Sequence, residues 1–104
     1  MNPQFKKGVL TLCVLALVEQ HDMNGYELVQ EISKHIEISE GAVYPLLRRL
    51  TNDGYFTTYL KESSEGPPRK YYQLTEAGKD ELQNLREEWN HFILGVNTLI
   101  KGEC

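Results

Sequence analysis

The chain has 104 residues, 40% of them hydrophobic and 25% charged, which suits a single globular domain and excludes a disordered or fibrous protein. Its net charge of −4 argues against an unspecific polyanion binder. Its two cysteines, Cys13 and Cys104, lack the spacing of a C-x-x-C pair or a metal site.

The charge is unevenly spread. Only residues 39–72 are net positive, with five Lys/Arg against four Asp/Glu, and the cations cluster at Arg48-Arg49 and Arg69-Lys70. Cys13 reads as a small core residue and Cys104 as a tail thiol in a reducing compartment. No basic neighbour activates either thiol, which counts against a redox switch.

The first predicted helix covers about residues 3–20. Its apolar run from Val9 to Val18, interrupted by Thr11, falls well short of the ~20 residues that span a bilayer. Lys6 and Lys7 precede it as in a signal peptide, but Glu19, Gln20, His21 and Asp22 follow instead of a small-residue cleavage site. A central buried helix of a cytoplasmic protein is the better reading, because the run is apolar nearly all round.

His21 to Gly25 then reads as a turn. A second helix is expected over about residues 25–35, with Tyr26, Leu28, Val29 and Ile32 as its apolar stripe and Glu27, Gln30, Glu31 and Lys34 opposite. Ile36-Glu37-Ile38 alternates as a brief strand would.

Ser39 is a good N-cap for a third helix that runs to about residue 52. Val43, Leu46, Leu47 and Leu50 recur at i, i+3, i+4 and i+7, one helical face. Ala42, Tyr44, Pro45, Arg48 and Arg49 are left on or near the open side. Pro45 is tolerated if the helix begins at Gly41 or Ala42, which places it in the first turn. Asp53-Gly54 ends the helix.

Residues 55–60 are rich in aromatic and β-branched types and read as a strand. Glu62 to Pro68 reads as a long polar tip, and residues 70–74 as the returning strand of a hairpin. Thr75 caps a last helix to about residue 101. There Leu82, Leu85, Trp89, Phe92, Val96 and Leu99 are spaced 3, 4, 3, 4, 3, a heptad seam that needs a second apolar surface. Ile93, Leu94 and Ile100 widen it.

The expected fold is mainly α with a small β component (α+β): a winged helix-turn-helix over residues 1–74 and a long C-terminal dimerisation helix over 75–104. The third helix is the candidate recognition helix. Gly41 and Ala42 are small enough for close backbone approach to DNA, Tyr44 can meet a phosphate or sugar, and Arg48 and Arg49 can grip phosphates or guanine edges. A solvated helix face carrying two arginines is the plain alternative. Arg69 and Lys70 sit at the base of the candidate wing. Tyr71 and Tyr72 alternate, so one packs inward and the other flanks the DNA.

Several blocks together resemble the PadR family of transcriptional regulators. They are Gly25-Tyr26-Glu27-Leu28, the ten residues from Gly41 to Leu50 (GAVYPLLRRL), Asp53-Gly54-Tyr55, and the ten from Arg69 to Gly78 (RKYYQLTEAG). The similarity runs in order over about residues 8–90. It implies a bacterial homodimeric repressor that binds palindromic double-stranded DNA through its third helix and wing. The candidate DNA contacts are Tyr26, Ser39, Gly41, Ala42, Tyr44, Pro45, Arg48, Arg49, Arg69, Lys70 and Tyr71. The single C-terminal helix resembles the short branch of the family, in which some members bind planar aromatic compounds beside a tryptophan of the last helix. Trp89 takes that position here, with Ile93 near it, although interface packing is the plainer account of Trp89.

No cofactor or metal is expected. His21, His35 and His91 are dispersed, and no nucleophile motif or phosphate-cradling glycine loop is present, so an enzyme is the least supported reading. The alternative from another class is a winged-helix protein–protein module that never touches DNA, which the −4 net charge favours and the two basic pairs oppose.

Overall fold

A computed structural model of the chain describes residues 3–102, with side chains from residue 8 onward. Cys104, and the side chains of Lys6 and Lys7, lie outside the described residues. In chain order the elements are α1 (Pro3–Gln20), β1 (Met23–Asn24), α2 (Gly25–Ser33), α3 (Glu40–Asn52), β2 (Phe56–Ser63), β3 (Gly66–Leu74) and α4 (Glu76–Ile100). The three strands form an antiparallel sheet in the order β1-β3-β2.

Helix α1 lies at the centre, as its apolar run predicts, and packs on α2, β3 and α4. Leu10, Val14, Leu15 and Val18 join Leu28 and Ile32 of α2, Val43, Leu46, Leu47 and Leu50 of α3, and Phe56 and Tyr72 of the sheet in one core. The Phe56 and Tyr72 rings meet at 5.6 Å and 60°, a favourable tilted geometry.

The third strand is not where the alternation of Ile36-Glu37-Ile38 places it. That segment is the unpaired connection between α2 and α3, and only Ile38 reaches the core's edge. Instead Met23 and Asn24, read from sequence as part of a turn, pair with Tyr72 and Tyr71 of β3. The α1–α2 link runs along the open edge of β3, where Met23 drops its side chain into the core. Asn24 also caps α2: its Oδ1 accepts from Glu27 N at 2.8 Å, and Glu27 Oε1 accepts from Asn24 N at 3.0 Å, a reciprocal capping box.

Helix α3 begins at Glu40, one residue earlier than Pro45 requires for a first-turn position, so the proline is an interior residue. It removes the bond that the Gly41 carbonyl would accept. The exposed setting of both residues lets solvent satisfy that oxygen. Ser39 holds the N-cap place with extended backbone, but its hydroxyl makes no cap bond. The helix ends as Asp53-Gly54 predicts: Gly54 has φ 86°, its N–H donates to Thr51 O at 3.1 Å, and Tyr55 N donates to Leu50 O at 3.0 Å. Those two bonds make a Schellman motif.

The hairpin tip is also shorter than the sequence suggests. The strands extend to Ser63 and from Gly66, leaving a two-residue turn at Ser64-Glu65. Pro67 and Pro68 therefore lie inside β3, opposite an irregularity in register between Lys61 and Ser63. Prolines have no N–H for the ladder, and a register break is where a strand accommodates them.

Thr75 ties three elements together. Its Oγ1 accepts from Gly78 N at 3.0 Å as the cap of α4, and donates to Gly54 O at 2.7 Å, while its N–H donates to Tyr55 O at 3.1 Å. Helix α4 then runs for 25 residues, about 37 Å at 1.5 Å per residue. It gives the molecule extents of 55 × 28 × 21 Å. Leu82 is fully buried and Leu85 packs on the same core, whereas Phe92, Leu99 and Ile100 are 49%, 73% and 74% exposed. No helix among the described residues is long and apolar enough to cross a membrane.

Candidate nucleic-acid interface

The apolar face of α3 is spent on the core, so the opposite face, which carries Gly41, Ala42, Tyr44, Pro45 and Arg48, stands open. Tyr44 leans across to the start of α2, where a Cβ on Gly25 would lie 2.5 Å from Tyr44 Cε1. Glycine at 25 is what lets the ring rest there. Arg48 follows Tyr44 by one turn. Burial pushes the Tyr72 hydroxyl above its ordinary pKa, Tyr44 adds to the rise, and the Arg48 charge opposes it. The three side chains are thus electrostatic neighbours.

A shallow cavity of about 170 Å³ opens at this junction, lined by Asn24, Gly25, Tyr26, Tyr44, Arg69, Lys70 and Tyr72. It lies where β1 leaves the edge of β3 and α2 begins, so elements remote in sequence converge on it. The Arg69 guanidinium sits 5.3 Å from the centroid of the Tyr26 ring, a cation–π contact that holds it over α2. The structure thus gathers Tyr26, Tyr44, Arg69 and Lys70 around one concavity, with Arg48 close by. Ser39, Gly41, Ala42 and Pro45 occupy the exposed N-terminal half of the adjoining helix.

Two residues singled out from sequence lie apart. Arg49 turns toward α1, with Nη2 3.5 Å from Thr11 Oγ1. Tyr71 lies on the outer face of the sheet, stacked on Tyr59 at 5.8 Å and 16°; Tyr72 is the tyrosine that packs inward. The Tyr59 hydroxyl donates to Asp22 Oδ2 at 2.7 Å, and this bond raises the phenol's pKa. It joins the wing to the α1–β1 link. No sequence signal marks the pair, because the residues stand 37 positions apart.

On α4 the stripe splits. Leu82 and Leu85 serve the chain's own core, Trp89, Ile93 and Val96 are half-buried, and Phe92 and Leu99 are exposed. The Trp89 and Phe92 rings stand 6.3 Å apart at 36°. No cluster of three or more His, Cys, Asp or Glu among the described residues could hold a metal ion.

A short strand order with a two-residue first strand, an open-faced third helix, a basic hairpin and a long last helix define a winged helix-turn-helix regulator. The chain belongs to the Transcriptional regulator PadR-like family, which matches residues 14–84. A crystal structure of a PadR-like transcriptional regulator from Bacillus cereus superposes with a TM-score of 0.86 at 40% identity, covering 96% of this chain and 99% of that one. A transcriptional regulator of Mycobacterium tuberculosis is 31% identical over 103 residues, 95% of each chain. The negative transcriptional regulator PadR of Bacillus subtilis is 28% identical over 80 residues, 73% of this chain but 44% of that protein. The family and these neighbours are transcriptional regulators, not enzymes.

Proposed function

We propose that this transcriptional regulator is a repressor that binds an inverted-repeat operator as a homodimer in the cytoplasm. The body, residues 1–74, meets DNA, and residues 75–104 form the dimerisation arm. The convergence of Tyr26, Tyr44, Arg69 and Lys70 on one concavity beside Arg48 carries the reading. In a winged helix, the N-terminal half of the third helix enters the major groove. Ser39, Gly41, Ala42 and Pro45 then lie along the groove wall, with the unused Ser39 hydroxyl and the Gly41 carbonyl available to phosphate and base-edge donors. Arg48 reaches bases or phosphates, Arg69 and Lys70 hold the flanking backbone, and Arg49 and Tyr71 stand at the margins of the footprint. That the B. subtilis relative is a negative regulator supports repression.

The dimer reading rests on the exposed half of the α4 stripe. Phe92, Leu99 and Ile100 are exposed on one helical face, and Trp89, Ile93 and Val96 beside them are half-buried. Covering a large apolar side chain is worth ~1.5–3 kcal/mol, and a second copy supplies the matching stripe by two-fold symmetry. Planar aromatic compounds are the proposed effectors, stacking on Trp89 beside Ile93 within that interface. Release follows if the ligand prefers a dimer geometry whose two recognition helices no longer fit successive major grooves.

Gel-shift titration against the DNA upstream of the protein's own gene tests the core of this reading. A discrete complex that Tyr44→Ala or Arg48→Ala weakens is expected. Equal binding by both variants would move the DNA surface elsewhere, and no complex at all would favour a protein–protein module.

A further inference from the structure

The wing's cations are paired differently in space than in sequence. Arg69 and Lys70 are neighbours along β3, so their side chains leave the strand on opposite faces. The residue directly across from Arg69 is Lys61 of β2, and directly opposed residues share a face. Lys61 and Arg69 are both exposed. No ion pair joins either of them to a carboxylate among the described residues. Each cation instead rests against a tyrosine: Lys61 Nζ is 5.1 Å from the Tyr71 ring centroid, and the Arg69 guanidinium is 5.3 Å from that of Tyr26. Tyr71 is in turn stacked on Tyr59, which Asp22 holds by its hydrogen bond.

Like charges placed directly across a ladder repel. This hairpin keeps such a pair, steadies both members on aromatic rings, and provides no acid between them. An anion seated between the two would relieve that repulsion. Arg69, held over the Tyr26 ring at the sheet edge, also lines with Tyr26 and Tyr44 the cavity beside the open side of α3. We infer that Lys61, with Arg69, grips a DNA backbone phosphate next to the groove that α3 enters, so that the phosphate clamp of the wing is a cross-strand pair. The inference rests on the DNA-binding reading above. Tyr71 and Tyr26 act here as platforms that fix the two cations, and Lys61 contacts the phosphate itself.

The test is the salt dependence of binding to the upstream DNA and to a random-sequence duplex, for the full chain. Each lost phosphate contact lowers the log–log slope by about 0.9 on duplex DNA. Lys61→Gln is expected to lower it by about that amount on both duplexes, Lys61→Arg to keep it, and the Lys61→Gln/Arg69→Gln pair to lower it by about twice as much. Lys79→Gln, which breaks an exposed ion pair with Glu76 on α4, serves as the control with an unchanged slope. A wild-type slope for Lys61→Gln, in a protein whose binding still depends on Tyr44 and Arg48, overturns the clamp alone. A wild-type chain that binds neither duplex overturns the clamp and the DNA reading together.

Discussion

At Gly25 and Gly78 the space that a side chain would need is already filled. At Gly25 the ring of Tyr44 occupies the space a Cβ would need. Gly25→Ala is expected to push Tyr44 off α2 at a cost of about 1–3 kcal/mol, shared between stability and placement of the ring. Its operator affinity should fall toward that of Tyr44→Ala. Loss of one hydrogen bond to a charged phosphate, about 1.5–3 kcal/mol, corresponds to roughly tenfold to hundredfold weaker binding. Parallel gel-shift titrations of the two variants check this; wild-type affinity for Gly25→Ala would mean that the Tyr44 contact has no bearing on DNA.

At Gly78 a Cβ would collide with the Tyr55 carbonyl oxygen and with Leu74. The carbonyl belongs to the backbone that Thr75 also binds, so it has little room to yield. Gly78→Ala is expected to lower stability by about 1–3 kcal/mol, or about 4–8 °C in Tm per kcal/mol for a domain of this size. Thermal unfolding followed by circular dichroism reads the change. At the same scale, burial pushes the Cys13 thiol above its ordinary pKa. It therefore carries less thiolate near neutral pH than a free cysteine, which agrees with a packing role and not with a reactive one.

Helices α2, α3 and α4 were legible as elements because each carries its own periodic apolar face, and α1 because its run is apolar nearly all round. Val43, Leu46, Leu47 and Leu50 define α3, Asp53-Gly54 ends it, and Thr75 starts α4. What sequence concealed depended on partners far along the chain. Met23 and Asn24 become a strand only because β3 offers them an open edge. Ile36 and Ile38 have the right alternation and no edge to join. Pro67 and Pro68 read as loop residues, yet a register break lets β3 contain them. The same distinction governs the candidate interface. Sequence points to the recognition helix and to Arg69-Lys70, but the role of Lys61 needs the cross-strand register, and the inward lean of Arg49 needs the position of α1.

The α4 stripe yields a prediction at the scale of the element. Leu85 packs on the chain's own core, while Leu99 is 73% exposed in the single chain. A charge at the two positions should therefore have different consequences. Leu85→Glu is expected to unfold the protein, and Leu99→Glu to lower the mass seen by light scattering from dimer to monomer with helical content retained. A monomeric mass for the unaltered chain would contradict the arm's proposed role. The exposed pair of Arg86 with Glu19, at 3.2 Å, steadies α4 on α1 only modestly, as surface ion pairs do.

For the whole molecule, Thr75 joins the end of α3, the wing and the start of α4 in one hydrogen-bonded knot. In the proposed dimer, rotation of α4 is expected to carry α3 with it, which would give the proposed effector at Trp89 a route to the DNA. Trp89 is the chain's single tryptophan, so its fluorescence reports on that site alone. Planar aromatic compounds are expected to quench it and to weaken the operator complex over the same concentration range, and Trp89→Ala to abolish the response. An operator complex indifferent to a panel of such compounds would leave Trp89 with interface packing only.

The central claim is that two copies of this chain place their α3 helices in successive major grooves, with the wings on the flanking backbone. A hydroxyl-radical footprint on the DNA upstream of the gene tests it most directly. The account predicts two symmetry-related protected segments about 34–36 Å apart, one turn of the duplex, both lost in Tyr44→Ala and Arg48→Ala. A single unsymmetrical patch, or protection that survives both substitutions, would contradict it.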